Sequence, residues 1–80
     1  MSGEVRLNGV AVYGYVVADG DGVRVRITTD EAERMGLVAG QQVRVEWSGR
    51  APTRLLLTAA DEAPPVVWLR LRPLASRAAG

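Results

Sequence analysis

A small all-β barrel with one short α-helix between its strands is the fold that this sequence predicts. Three observations carry it. Short runs in which apolar and polar residues alternate recur along the chain, as in Val23 to Thr28 and Val43 to Trp47. Turn chemistry separates them, with Asn8-Gly9 and the Asp19 to Gly22 run DGDG as the clearest cases. Only one segment, around TTDEAERMG, has the punctuation of a helix. About six short strands packed into so little chain favour a closed or nearly closed barrel, because closure removes exposed edges.

In chain order, VRLNGVAV reads as a hairpin, since both central residues of a type I′ turn need positive φ and Asn-Gly supplies them. The following VAVYGYVVA is rich in β-branched and aromatic residues. Its interior Gly14 suggests a bulge or a close backbone approach. DGDG is a turn; a calcium loop would need more oxygen ligands at wider spacing. From Val23, Val25 and Ile27 point one way while Arg24, Arg26 and Thr28 point the other, so a half-buried strand is expected.

Thr28 and Glu31 stand at capping-box spacing, Asp30 is a rival N-cap, and Gly36 is a C′ stop. A helix of about two turns is too short to be stable alone and must pack, through Ala32, Met35 and Leu37. Val43, Val45 and Trp47 then alternate with Arg44 and Glu46. SGRAP is a turn, TRLLLT a short strand covered on both faces, AADEAPP a loop, and VVWLRLRP the last strand, closed by Pro73. Residues 4–73 form one domain on this reading, and 74–80 a disordered tail. The expected core is Val23, Val25, Ile27, Val43, Val45, Trp47, Leu55, Leu57, Leu69 and Leu71.

Composition excludes much chemistry. The 80 residues contain no cysteine and no histidine, so disulfides, Cys/His zinc sites and any mechanism needing a thiolate or an imidazole are ruled out. All 10 basic residues are Arg, which removes Schiff-base lysines and the lysine of a phosphate-binding loop. The serines lack a histidine base, the glycine runs match no dinucleotide fingerprint, and the 9 acids lie mostly in turns and caps. No enzyme activity, metal or cofactor is expected. The net charge of +1 falls short of the footprint of a dedicated nucleic-acid binder. With no secretory leader and no apolar run of roughly 18 residues, a soluble cytoplasmic protein without a membrane association is expected. So short a chain makes oligomerisation an open option.

The run VRVRITTDEAERMGLVAGQQVRVEW, a strand, a short helix, Gly-Leu, two residues, Gly, a polar residue and a strand, resembles the signature of the cradle-loop barrels. That group includes the double-psi β-barrels and the AbrB-like swapped-hairpin regulators, which share a helix-to-strand corner called the GD box. The family's corner has Asp after the glycine to tie it together; here Gln41 stands in that place. Glu31-Ala32, Gly36-Leu37, Gly40, Val43 and Val45, then SGR, TRLLLT and PPVVWL, are similar to the C-terminal molybdopterin-dinucleotide-binding domain of molybdenum and tungsten oxidoreductases. The likeness covers roughly residues 23 to 71. It implies a stand-alone or accessory relative of that domain, without a cofactor role here. The AbrB-like resemblance implies instead a dimeric DNA-binding regulator or antitoxin, with residues 61–80 as a toxin-embracing segment.

The candidate binding residues are Arg24, Arg26, Arg44, Arg70 and Arg72, all at outward positions, and Trp68. Together the arginines could form one phosphate-contacting surface. Alternatively they pair across strands with Glu46 or nearby acids and keep the barrel soluble. Trp68 shares a face with Val66, Arg70 and Arg72. It is either an exposed anchor for a protein partner or stacked bases, or part of a small second core with Tyr13 or Tyr15. The expected role is that of a non-catalytic binding or interaction module with a protein partner or a second copy of itself.

Overall fold

A computed structural model of the chain describes residues 2–47 and 49–74. Six strands and one helix follow in the order β1 (Ser2–Leu7), β2 (Val10–Asp19), β3 (Gly22–Thr28), α1 (Thr29–Met35), β4 (Gln42–Trp47), β5 (Thr53–Ala63) and β6 (Val66–Pro73). They form a closed barrel in the ring order β1-β2-β3-β6-β5-β4, and every neighbouring pair is antiparallel. Two three-stranded meanders, β1-β2-β3 and β4-β5-β6, are thus joined along both edges. The ring closes where Val5 stands opposite Trp47 and Leu7 opposite Val45. Closure satisfies strand edges that a chain this short could not otherwise cover.

Turn chemistry sets the register of the first meander. Asn8 and Gly9 have φ of 55° and 85°, the pair of positive values that a type I′ turn requires. Asn8 also fastens the hairpin to β4: its N–H donates to the Arg44 carbonyl at 2.8 Å, and its Oδ1 accepts from the Arg44 N–H at 2.9 Å. Gly14 is a close approach, with β1 and β2 in unbroken register around it. A Cβ there would meet the Arg26 carbonyl at 3.0 Å and Ile27 Cγ2 at 3.2 Å. β2 pairs with β1 up to Tyr15 and with β3 from Tyr15 onward, so one long strand serves both neighbours.

Of the expected core residues, Val25, Ile27, Val43, Val45, Leu55, Leu57, Leu69 and Leu71 are buried. Val23 and Trp47 are only half-buried and pack at its margin, because both stand at the end of the barrel away from α1. Val5, Leu7, Val12, Val16 and Val67 complete the core. The first hairpin is therefore an integral wall, and every fully buried side chain of the core is apolar.

Thr28 is the N-cap of α1, accepting from the Glu31 N–H at 3.1 Å. Gly36 ends the helix at φ 66° and ψ 36°, with its N–H on the Glu33 carbonyl. Ala32, Met35 and Leu37 pack against the core as half-buried residues, so α1 plugs one end of the barrel. The corner into β4 is tied by Gln41. Its Nε2 donates to the Gly36 carbonyl at 3.2 Å and its Oε1 accepts from the Val38 N–H at 3.3 Å. Backbone bonds from Gly40 N–H to the Leu57 carbonyl and from Leu57 N–H to the Gln41 carbonyl, both 2.8 Å, join the corner to β5.

The segment AADEAPP corrects one expectation. It is not a loop up to Ala63: β5 passes an irregularity between Leu57 and Ala59 and continues as a strand, with only Pro64-Pro65 turning the chain. Pairing with β6 from Ala59 opposite Arg70 to Ala63 opposite Val66 overrides the weak strand propensity of alanine and acidic residues. β5 is also exposed along most of its length, where coverage of both faces was expected. Beyond Leu74, the expected disordered tail lies outside the described residues.

Candidate interaction surface on the barrel wall

Four of the five candidate arginines come together. Val67, Leu69 and Leu71 of β6 are buried, which turns Val66, Trp68, Arg70 and Arg72 outward. On β3 the same alternation buries Val25 and Ile27 and turns Arg24 and Arg26 outward. Because β3 and β6 are neighbours, Arg24 stands opposite Arg70 and Arg26 opposite Trp68. Arg44 is elsewhere: β4 lies between β1 and β5, and its cross-strand partners there include Arg54. The surface is thus one strip of four arginines, and a fifth apart.

Trp68 is half-buried within this strip. The guanidinium carbon of Arg24 lies 5.0 Å from the centre of its ring, and that of Arg26 5.7 Å. Tyr15 meets it edge-on, with ring centres 6.3 Å apart and planes at 84°. Such edge-to-face and cation–π geometry suits the negative face of an indole. A small cluster therefore sits outside the barrel wall, as the second-core alternative expected. Its tyrosine is Tyr15; Tyr13 stays 75% exposed. A shallow groove of about 200 Å³ runs between Tyr13, Tyr15, Arg26 and Val66.

Acids compensate most of the strip. Arg70 Nε lies 3.0 Å from Asp61 Oδ2, and Arg72 Nη1 lies 3.2 Å from Asp21 Oδ1. Asp19 stands between two cations, 4.0 Å from Arg24 and 3.9 Å from Arg72. Glu46 plays no part, since it stands opposite Arg6 on the other side of the ring. All these side chains are exposed or half-exposed, so each pair contributes at most about 1 kcal/mol. Arg26 makes no ion pair among the described residues; its partners are the faces of Tyr15, at 5.1 Å, and Trp68.

Alternation alone placed Arg24, Arg26, Arg70, Arg72 and Trp68 on the outer face of the wall, where the structure has them. It missed Asp61, because that residue was assigned to a loop, and it left Tyr13 and Tyr15 undivided, although both share the outward period of β2. Among the described residues there is no group of three or more Asp or Glu placed to hold a metal ion, and no helix is long and apolar enough to cross a membrane. Comparison with family models, with curated proteins and with solved structures finds no match for this chain.

Proposed function

We propose that this barrel is a non-catalytic interaction module that docks a protein partner in the cytoplasm through the outer face of β2, β3 and β6. One observation carries the reading: Trp68 is held by Arg24, Arg26 and Tyr15 beside the exposed Tyr13 and the groove. Trp, Tyr and Arg are the residues in which interface binding energy concentrates. Rings and cations that already hold one another lose little side-chain freedom on docking. The likeness to cradle-loop barrels is supported by the Gly36 to Gln41 corner, where Gln41 ties the turn as Asp does in the GD box. An accessory role beside a larger enzyme, in the manner of the molybdopterin-oxidoreductase C-terminal domain, fits this reading. A double-psi connection is not needed for it, and the two antiparallel meanders do not argue for one.

The rival, a dimeric AbrB-like DNA-binding regulator, would use the same arginines. Two features favour the interaction module. Three aspartates pair with three of the four arginines, and the barrel closes within one chain, leaving no gap for a swapped hairpin. The test compares the protein with a folded Trp68→Ala variant in pull-down from its host, alongside a titration with duplex DNA at low salt. The module reading expects a monomer whose specific partner is lost with Trp68→Ala. A dimer with duplex affinity falling steeply with salt, or a variant that keeps every partner, would overturn it.

A further inference from the structure

The end of the barrel opposite α1 holds a second site, and we propose that it binds a small planar anion, an aromatic ring carrying a carboxylate or phosphate, between Trp47 and the guanidinium groups of Arg50 and Arg54. α1 follows the end of β3, and its Ala32 and Met35, with Leu37 just beyond the helix, pack against the core at that end of the barrel. Among the described residues, no element comparable to α1 covers the start of β3. Val23 and Trp47 are left half-buried there, and a cavity of about 440 Å³ opens. Its lining includes the apolar Val23, Trp47 and Leu55 and the charged Asp21, Arg50 and Arg54. That volume falls in the range of small-molecule sites, which favour barrel mouths.

Charge defines the ligand. Asp21 is engaged with Arg72 at 3.2 Å, whereas Arg50 and Arg54 make no ion pair among the described residues. Arg54 also stands directly opposite Arg44 in the β4–β5 ladder. Like charges in that position repel, and an oxyanion beside Arg54 would relieve the repulsion. Arg50 is already placed: its N–H donates to the Trp47 carbonyl at 2.8 Å, and its guanidinium carbon lies 5.3 Å from the centre of the Trp47 ring. A flat ligand ring finds the indole and the aliphatic wall, and its oxyanion finds two forked donors of the geometry that suits carboxylate and phosphate.

The site is separate from the Trp68 face, so its test stands apart from that of the proposed function. The 80-residue chain, labelled with ¹⁵N, is titrated with benzoate and with adenosine monophosphate while the indole N–H of Trp47 and Trp68 and the Nε–H of Arg50 and Arg54 are followed. Adenosine, benzyl alcohol and inorganic phosphate serve as the ring-only and anion-only arms. The expected result is a saturable shift at Trp47, Arg50 and Arg54 with at least one ring-bearing anion, binding about tenfold weaker for the neutral or ring-free counterpart, and a similar loss in Arg50→Gln/Arg54→Gln. Whichever of the two anions binds identifies the oxyanion. No saturable shift up to about 10 mM of either anion, equal binding of inorganic phosphate, undiminished binding by the double variant, or shifts at Trp68 in place of Trp47 would each overturn the proposal.

Discussion

Arg26 and Trp68 face each other across the β3–β6 ladder, with the Arg26 guanidinium carbon 5.7 Å from the centre of the indole. On its other side Arg26 faces Tyr15, and beyond Trp68 the row continues to Asp61. One row across four strands therefore reads ring, cation, ring, anion. Arg26 needs no carboxylate because two π faces flank it. A double-mutant cycle of Arg26→Ala and Trp68→Ala, followed by urea unfolding, should give a coupling energy of about 0.5–1 kcal/mol. Strictly additive single effects would show that the contact carries no energy.

Gln41 bonds two backbone groups of the corner with one side chain. Gln41→Ala removes both bonds and should lower stability by about 1–2 kcal/mol, since each exposed bond contributes about 0.5–1.5 kcal/mol net and the two losses overlap. Gln41→Glu keeps the acceptor for the Val38 N–H but loses the donor to the Gly36 carbonyl, so it should fall between Ala and the parent. Thermal unfolding of the three proteins checks the order. An Ala variant as stable as the parent would mean that the backbone bonds to Leu57 hold the corner alone.

Alternation told which side of the wall each residue faces, and the structure follows it at Val25, Ile27, Val67, Leu69 and Leu71. It could not tell which strands are neighbours. Arg44 has the same outward period as Arg24, yet strand order carries it to a different side of the ring, next to Arg54. That separation is a product of long-range pairing, which no local pattern encodes. The β5 extension was hidden for a related reason: Ala59 to Ala63 have little strand preference of their own, and what makes them a strand is the partner segment from Val66 to Arg70. Trp47 was placed inward by period two, as it is, but period says nothing of an open barrel end. The corner was readable because its chemistry is local: a helix stop at Gly36 and an amide within reach of it.

Thr29 opens α1 with its hydroxyl buried and without a hydrogen-bond partner among the described residues. Its backbone is satisfied, since the N–H donates to the Pro65 carbonyl at 2.9 Å. A buried hydroxyl that bonds nothing carries a desolvation cost with no return. Thr29→Val keeps the branched shape and removes the hydroxyl, so it should be neutral or stabilising by up to about 1 kcal/mol in urea unfolding. A loss of 1 kcal/mol or so would show that the hydroxyl is bonded in solution.

Two glycines answer to opposite demands, and one pair of variants separates them. Gly36 has φ 66° with open space where a Cβ would be, so its requirement is conformational. Gly22 needs no positive φ, but a Cβ there would run into the backbone carbonyl of Leu71 on β6, a contact that no side-chain rotation relieves. Gly36→Ala should therefore cost about 1 kcal/mol, the penalty of holding an L-residue in the left-handed region. Gly22→Ala must push β3 away from β6 at the foot of the ladder that carries Arg24 and Arg26, and should cost about 3 kcal/mol or prevent folding. If both variants unfold at the same urea concentration, the close packing of β3 on Leu71 is not what holds this edge of the barrel. If only Gly22→Ala is strongly destabilised, the seam between the two meanders limits the stability of the whole ring.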